Sequence, residues 1–506
     1  MKAQTLSGLY GLVVFLSAAV LLILEIVAGR LLAPYIGVSL YTWTSIIGVI
    51  LAGLSLGHWI GGRLADNGAG HVAAGAVLIV AALATLAVLP LLLLVGTIVQ
   101  DSEIGLLNAS FIYVLTLFFL PAAAIGVISP LLTTLALKLE RNPGSVVGRM
   151  HALSAVGSIL GTFLCGYWLV QWFGTRSIIW SSAVVLFAMA LPFLVGRTGG
   201  ARTMVAGLAA AMLLVLLTWL EDGFASPCDV ESSYYCLRVV DEQDPSGVLQ
   251  GRSLIIDHMV HSTNSRHDPG LLWVPYAHAM DTLIQAYFPG GTPESFLFGG
   301  GGAYTLPRAV LHRDPGATVT VSEIDPAVTR LAGNELYLDP DPITIHHVDA
   351  RNLLGRTQAR SFDVIVTDVF HDIGIPWHLT TREFNEQVAR TLKDGGLYLI
   401  NVIDVFPQNS LVQSMLRTLH GSFSHVGVWI ESPPSEETRL TFVLSASGRP
   451  LPGDVIDSRS GPRRRWFNIA DFVGEQATRN VAEVITDDYA PVERLLRKML
   501  VTRSGN

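Results

Sequence analysis

Four short stretches in the second half of the chain carry residue types and spacings suited to nucleotide and amine chemistry. Gly299, Gly300, Gly301 and Gly302 follow the apolar run SFLF, and glycines there permit tight turning and close approach of backbone to a bound nucleotide. Glu323, in VSEID, stands 22 residues after Gly301, where an acid at the end of the next strand takes both hydroxyls of a ribose. Asp349-Ala350 ends a third run, and Asp349 there either accepts from an adenine amino group or caps the following helix. Asp368 ends a fourth, FDVIVTDVF, with Asp372 soon after. Two carboxylates at a cleft mouth can bind an amine and remove the proton it must lose before it attacks. The plain alternatives are a solvated strand-end charge for Glu323 and loop capping for Asp368 and Asp372. No Cys/His set has zinc-like spacing and no GxSxG or P-loop run occurs. His346 and His347 are adjacent on one strand and so point to opposite faces, and no metal is expected.

These residues need a scaffold that brings strand ends together. From residue 271 onward, strand-like and helix-like segments alternate: SFLFGG, YTLPRAVLHR, TVTVSEID, PAVTRLAGNEL, ITIHHVDA, FDVIVTDVF, TREFNEQVARTL closed by the turn DGG, then LYLINVID. Such alternation predicts a mainly parallel, doubly wound sheet whose ligand lies outside the carboxyl ends of the strands, at the switch point. Residues 221–270 have a different period, with CLRVVD and SLIIDHMV flanking the polar DEQDPSGVLQGR as hairpin strands. The sequence therefore predicts three regions: 1–220 in the membrane, a small β region over 221–270, and an α/β domain over 271–506.

Composition separates the first region from the rest. The 506 residues are 50% hydrophobic and 15% charged, with a mean hydropathy of +0.47, which excludes disordered, collagenous and small disulfide-framework classes. Residues 1–220 hold only 9 Lys/Arg and 5 Asp/Glu, whereas the remainder carries a net charge of −12. That acidic balance argues against nucleic acid and suits a polycationic ligand. Apolar runs at about 10–33, 42–61, 72–99, 110–137, 151–173, 176–196 and 203–220 are each long enough to span a bilayer, and the first is too long for a cleaved signal. With the N-terminus inside, the inner loops carry Lys2, Arg63, Lys138, Arg141, Arg149, Arg197 and Arg202 against Arg30 and Arg176 outside, the favoured orientation. Seven spans then put residue 221 onward outside; a re-entrant segment or an eighth crossing would reverse that. Cys228 and Cys236 can pair if their segment lies outside the cytoplasm, and Cys165 fits as small packing within a span. Glu25 lies inside the first run, where a carboxylate costs about 2.5–3.5 kcal/mol, as a substrate or proton site or as a structural partner of Arg30 or a helix N-terminus. The stretches GHWIGGR and AVGSILGTFLCG suit close helix contacts.

The segments SYYCLRVVD and GRSLIIDHMVHST, then GGGG, VSEID, VDA and TDVFHDIGIPWHLTTREF, in this order, resemble the spermidine synthase family of polyamine aminopropyltransferases over roughly 233–420. TDDYAPVERL at 486–495 is a looser echo. The hydrophobic half, with LEIVAGRLLAPYIG and YTWTSIIGVILAGLSLGHWIGGRLAD, is similar to the membrane-fused branch of that family. The resemblance implies a multi-pass α-helical membrane domain, a small N-terminal β-hairpin region and an α/β methyltransferase-like (Rossmann-like) domain. It implies decarboxylated S-adenosylmethionine as co-substrate, no permanently bound cofactor, aminopropyl transfer to a diamine such as putrescine, and release of methylthioadenosine. Carried over residue by residue, Gly299 and Gly301 belong to the nucleotide loop, Glu323 is the ribose acid, Asp349 with Ala350 the adenine side, and Asp368 the catalytic base. Asp372, Tyr276 and His261 fall on the substrate side. Gly302 stands where soluble members have an Asp for the aminopropyl ammonium, and His261 where they have a Gln. Two other readings stay open. Gly302 favours another S-adenosylmethionine-dependent transfer, such as methyl transfer; Glu25 and the spans favour a transporter or sensor with a nucleotide- or polyamine-binding domain. The expected partners are a polyamine and the lipid bilayer, with no nucleic acid, and the resemblance adds a homodimer. The expected location is the plasma (inner) membrane.

Overall fold

A backbone crossing a bilayer must satisfy its own hydrogen bonds, so long apolar runs become helices. In the computed structural model, which describes residues 3–100, 105–291, 293–370, 374–459 and 461–501, the chain divides into two compact units, Met1–Cys236 and Leu237–Asn506. The first unit contains α1 (Ala3–Ile36), α2 (Leu40–Asp66), α3 (His71–Gln100), α4 (Leu106–Leu137) and α5 (Pro143–Leu164). A π segment, Cys165–Leu169, joins α5 to a last turn, α6 (Val170–Phe173), and α7 (Thr175–Leu194) and α8 (Gly200–Leu220) follow. Among the described residues, seven helical stretches are long and apolar enough to cross a membrane. They contain six of the predicted runs whole; the sixth run overshoots α7, because Gly196 at φ +71° turns the chain.

Glycine decides how closely these helices approach. Gly53, Gly57 and Gly61 of α2 face α4, and a Cβ on Gly57 would lie 2.2 Å from the Ala123 carbonyl oxygen. Gly157 and Gly161 of α5 meet α1 in the same way, 2.1 Å from the Phe15 and 2.4 Å from the Ala19 carbonyl oxygens. Both glycine-rich stretches are therefore close helix contacts. Cys165 is buried beside α1. After α8 the chain folds back on the helix ends. Arg176 Nη1 donates to the Gly223 carbonyl at 2.8 Å, Arg30 donates to the Ser232 carbonyl at 2.6 Å and to that of Tyr234, and Thr175 N donates to Glu231 in the short strand β1 (Val230–Glu231) at 2.9 Å. A disulfide joins Cys228 to Cys236.

The second unit opens with an antiparallel meander, β2 (Cys236–Gln243), β3 (Leu249–Ile256) and β4 (Met259–Ser265). After α9 (Pro275–Tyr287) the predicted alternation appears: β5 (Ser295–Gly299), α10 (Thr305–Arg313), β6 (Thr318–Ser322), α11 (Pro326–Glu335), β7 (Ile343–His346), α12 (Ala350–Arg356), β8 (Phe362–Thr367), α13 (Arg382–Thr391) and β9 (Leu392–Phe406). Asp325, Asp349 and Thr381 cap α11, α12 and α13, each accepting from a backbone amide of the first turn. Then follow α14 (Ser410–Leu419), β10 (His425–Ile430), β11 (Thr438–Ser447), β12 (Val455–Asp457), β13 (Arg465–Asn468) and α15 (Ala470–Arg479).

The nine strands β5 to β13 form one sheet in the order β12-β13-β10-β11-β9-β8-β5-β6-β7. Strands β7, β6, β5, β8 and β9 are parallel, and the antiparallel strands β11, β10, β13 and β12 extend the β9 side. From β5 the chain winds outward to β6 and β7, then returns to β8 on the other side. The switch point thus lies at the carboxyl ends of β5 and β8. The expected DGG turn is instead a bulge within β9. Gly395 sits at φ +72°, and the β8 pairing jumps from Phe362↔Leu392 to Val364↔Leu397.

Candidate active site at the sheet switch point

The glycine loop after β5 is shaped by what crowds it. Gly300 has φ +92°, and a Cβ there would lie 2.1 Å from the Asp368 carbonyl oxygen, so only glycine fits between β5 and the end of β8. Gly299 packs beside Ala350 and Thr367. Gly301 donates its amide to Glu323 Oε2 at 2.7 Å, while Asp325 N donates to Oε1 at 2.9 Å. The loop and the β6 acid are thus bonded directly to each other. Burial pushes the Glu323 carboxyl above its ordinary range, against the pull of these amides. Gly302, at φ +50°, is roomier: a Cβ there would meet only Ser262 Oγ, at 3.6 Å.

The meander is fixed over this loop by Asn264 of β4. Its Nδ2 donates to the carbonyls of Ala303 and Leu336 at 2.7 and 2.8 Å, and its Oδ1 accepts from Thr305 Oγ1 at 2.7 Å.

Asp368 follows β8 directly. Its Oδ2 accepts from Tyr276 Oη at 2.8 Å and its Oδ1 from Asn401 Nδ2 at 2.8 Å. Tyr276, in the first turn of α9, also lies 3.0 Å from the His261 carbonyl oxygen, so its single hydroxyl proton is shared between two acceptors. His261 therefore meets Tyr276 through its backbone. Burial raises the Asp368 carboxyl, and the hydrogen bonds from Asn401 and Tyr276 offset part of that rise. Burial and the neighbouring Asp368 charge raise the Tyr276 phenol well above its usual value.

Asp349 caps α12 through one oxygen and meets His378 through the other. Its Oδ1 accepts from the amides of Arg351 and Asn352 at 3.0 and 3.2 Å, and His378 Nε2 lies 2.8 Å from Oδ2. Burial alone would raise this carboxyl; the bonds from His378 and the amides outweigh it and hold it below the ordinary range. Asp372 lies outside the described residues. Two partners escaped the sequence reading. Asn401 sits among the buried residues Leu397–Ile400 and Val402, and a polar residue inside such a run is the signal that finds it. His378 comes from the short 3-10 turn Trp377–Leu379, and no sequence pattern marks it.

The arrangement gathers at the strand ends a carboxylate that caps α12 and meets His378, a carboxylate bonded to the glycine loop, and a raised carboxylate held by a phenol and an amide. It can bind a nucleoside and accept a proton beside it. Residues 291–451 match the family model described as spermine/spermidine synthase domain. A probable polyamine aminopropyl transferase of Bifidobacterium longum is 25% identical over 272 residues, covering 49% of this chain and 58% of that protein. A polyamine aminopropyltransferase of Vibrio vulnificus is 29% identical over 143 residues, covering 28% of this chain and 48% of that protein. The chain thus spans about half the length of these relatives. Among solved structures, a probable spermidine synthase from Corynebacterium glutamicum superposes on 51% of this chain and 95% of its own, with 23% identity and a TM-score of 0.44.

Proposed function

We propose, from the match of residues 291–451 to the spermine/spermidine synthase domain and the likeness to polyamine aminopropyltransferases, that the protein is a membrane-held transferase of the spermidine synthase family, moving an aminopropyl group from decarboxylated S-adenosylmethionine to a diamine such as putrescine. The observation that carries this reading is Asp368 at the switch point, half-buried and held between Tyr276 and Asn401. In the step, the amine's ammonium gives a proton to Asp368, and the neutral nitrogen forms a bond to the aminopropyl carbon attached to the sulfonium. The carbon–sulfur bond breaks with its electron pair on sulfur, methylthioadenosine leaves, and the lengthened polyamine departs as a secondary ammonium. Glu323 would hold the ribose hydroxyls and Asp349 the base amino group. Tyr276 and His261 line the amine side in this reading, and Asp372 belongs there by resemblance. Pairing as a homodimer follows the same resemblance, and mass photometry of the purified protein tests it.

The space beside Gly302 supports a second reading, methyl transfer from S-adenosylmethionine, because no side chain at that position fills the donor end of the loop. A product assay on detergent-purified protein separates the two. With putrescine and each donor in turn, methylthioadenosine with a lengthened polyamine supports aminopropyl transfer, and S-adenosylhomocysteine moves the chain to the methyltransferases. Asp368→Asn should cut turnover at least about a hundredfold while nucleoside binding persists; full turnover in that variant removes the proposed base.

The bilayer is the proposed location of the first half. The seven spans, the loop charges and the Cys228–Cys236 disulfide together support an oxidising, non-cytosolic side for the second half.

A further inference from the structure

The C-terminal stretch TDDYAPVERL has no role in the chemistry above, yet its first turn reaches the base side of the cleft. Thr486 and Tyr489 exchange backbone hydrogen bonds of 3.0 and 3.1 Å, closing a tight turn with Asp487 inside it. Arg351 Nη1 and Nη2 donate to Asp487 Oδ1 and Oδ2 at 2.7 and 2.5 Å, a two-pronged pairing that only a guanidinium makes. The same Nη1 donates to the His378 carbonyl at 3.0 Å. The turn is anchored independently, since Arg382 N donates to the Ile485 carbonyl at 2.8 Å, Asp487 N to Glu383 at 3.0 Å, and Ile485 N to Thr418 Oγ1 at 3.0 Å.

A chain of contacts results: Asp487 fixes Arg351, Arg351 fixes the backbone of His378, and the His378 imidazole meets Asp349 Oδ2 at 2.8 Å. Asp349 Oδ1 is taken by two helix amides. Oδ2 is therefore the oxygen open to a second donor, and the position of His378 decides how that oxygen is presented.

We infer that Asp487, acting through Arg351 and His378, is a positioning residue that sets how strongly Asp349 reads the amino group of the donor's purine. This rests on the reading that Asp349 receives the base. A merely structural Asp487 would affect any nucleoside alike, whereas a positioning Asp487 affects only one whose base donates to Asp349.

The experiment is calorimetric binding to the full-length protein in detergent, using methylthioadenosine and its 6-oxo counterpart methylthioinosine, which lacks the amino group. Wild-type protein should prefer the amino nucleoside, and Asp349→Asn should lose the preference. Asp487→Asn should weaken methylthioadenosine about tenfold, leave methylthioinosine unchanged, and add nothing further in the Asp349→Asn background. Arg351→Lys, which keeps the charge but loses the two-pronged geometry, should do the same and serves if Asp487→Asn folds poorly. Equal loss on both nucleosides, or no loss on either, overturns the role of Asp487. Preference for the amino base that survives Asp349→Asn overturns the base reading itself, and the proposal with it, in an arm where Asp487 is untouched.

Discussion

At the residue scale, the proposed proton acceptor is defined by its two donors. Hydrogen bonds from Tyr276 and Asn401 favour the ionised form of Asp368, whereas burial opposes it, with a net rise. A base must be deprotonated to work, so the acid limb of the kcat/KM profile should lie above the ordinary aspartate range. Removing one donor withdraws support from the charged form and raises the carboxyl further. Tyr276→Phe should therefore move that limb to higher pH, and a rate profile from pH 5 to 9 reads the shift. A limb that stays put or moves down would show that Tyr276 does not tune the base. Asp368, Glu323 and Asp349 were legible as candidates because each closes an apolar run, where a parallel sheet gathers its strand ends. Their partners were less so: Asn401 and His378 lie 33 and 29 residues from the carboxylates they touch, a distance that strand and helix patterns do not bridge.

At the element scale, alternation alone predicts the parallel part of the sheet, because buried strands separated by capped helices have few other solutions. It did not reveal β9's length. The DGG triplet has the local chemistry of a turn, but Leu392 before it already pairs with Phe362 of β8, so the strand runs through the triplet as a bulge instead of starting after it. Tertiary pairing overrode a local preference. The spans were legible from hydropathy, and their packing partly so from glycine spacing. Gly57 has α4 backbone where a side chain would go, so Gly57→Leu must push α2 away from α4 or leave the pair unpacked. The variant should lose about 1–3 kcal/mol or more of stability, seen as a lower melting temperature in detergent. Gly62→Leu, with open space around its Cβ position, is the control and should melt near wild type.

At the scale of the whole molecule, the seven described helices long and apolar enough to cross a membrane, with a disulfide right after the last of them, make one prediction about sidedness if they span as proposed. In intact cells, Cys228 and Cys236 should resist alkylation until a reductant is added, and a phosphatase reporter fused after residue 236 should be active. Free thiols with an inactive reporter would place the second half in the cytosol. The sequence left this open because a re-entrant segment or an eighth crossing would reverse the side that the loop charges and the two cysteines favour. The Cys228–Cys236 disulfide supports the outward side.

The odd number of proposed spans also bears on nutrition. With the proposed chemistry on the far side of the bilayer, every turnover leaves one purine ring and one methylthio sulfur where salvage enzymes of the cytosol do not reach them. A cell using this protein then sheds adenine and sulfur in step with each polyamine it lengthens, unless an importer recovers the nucleoside.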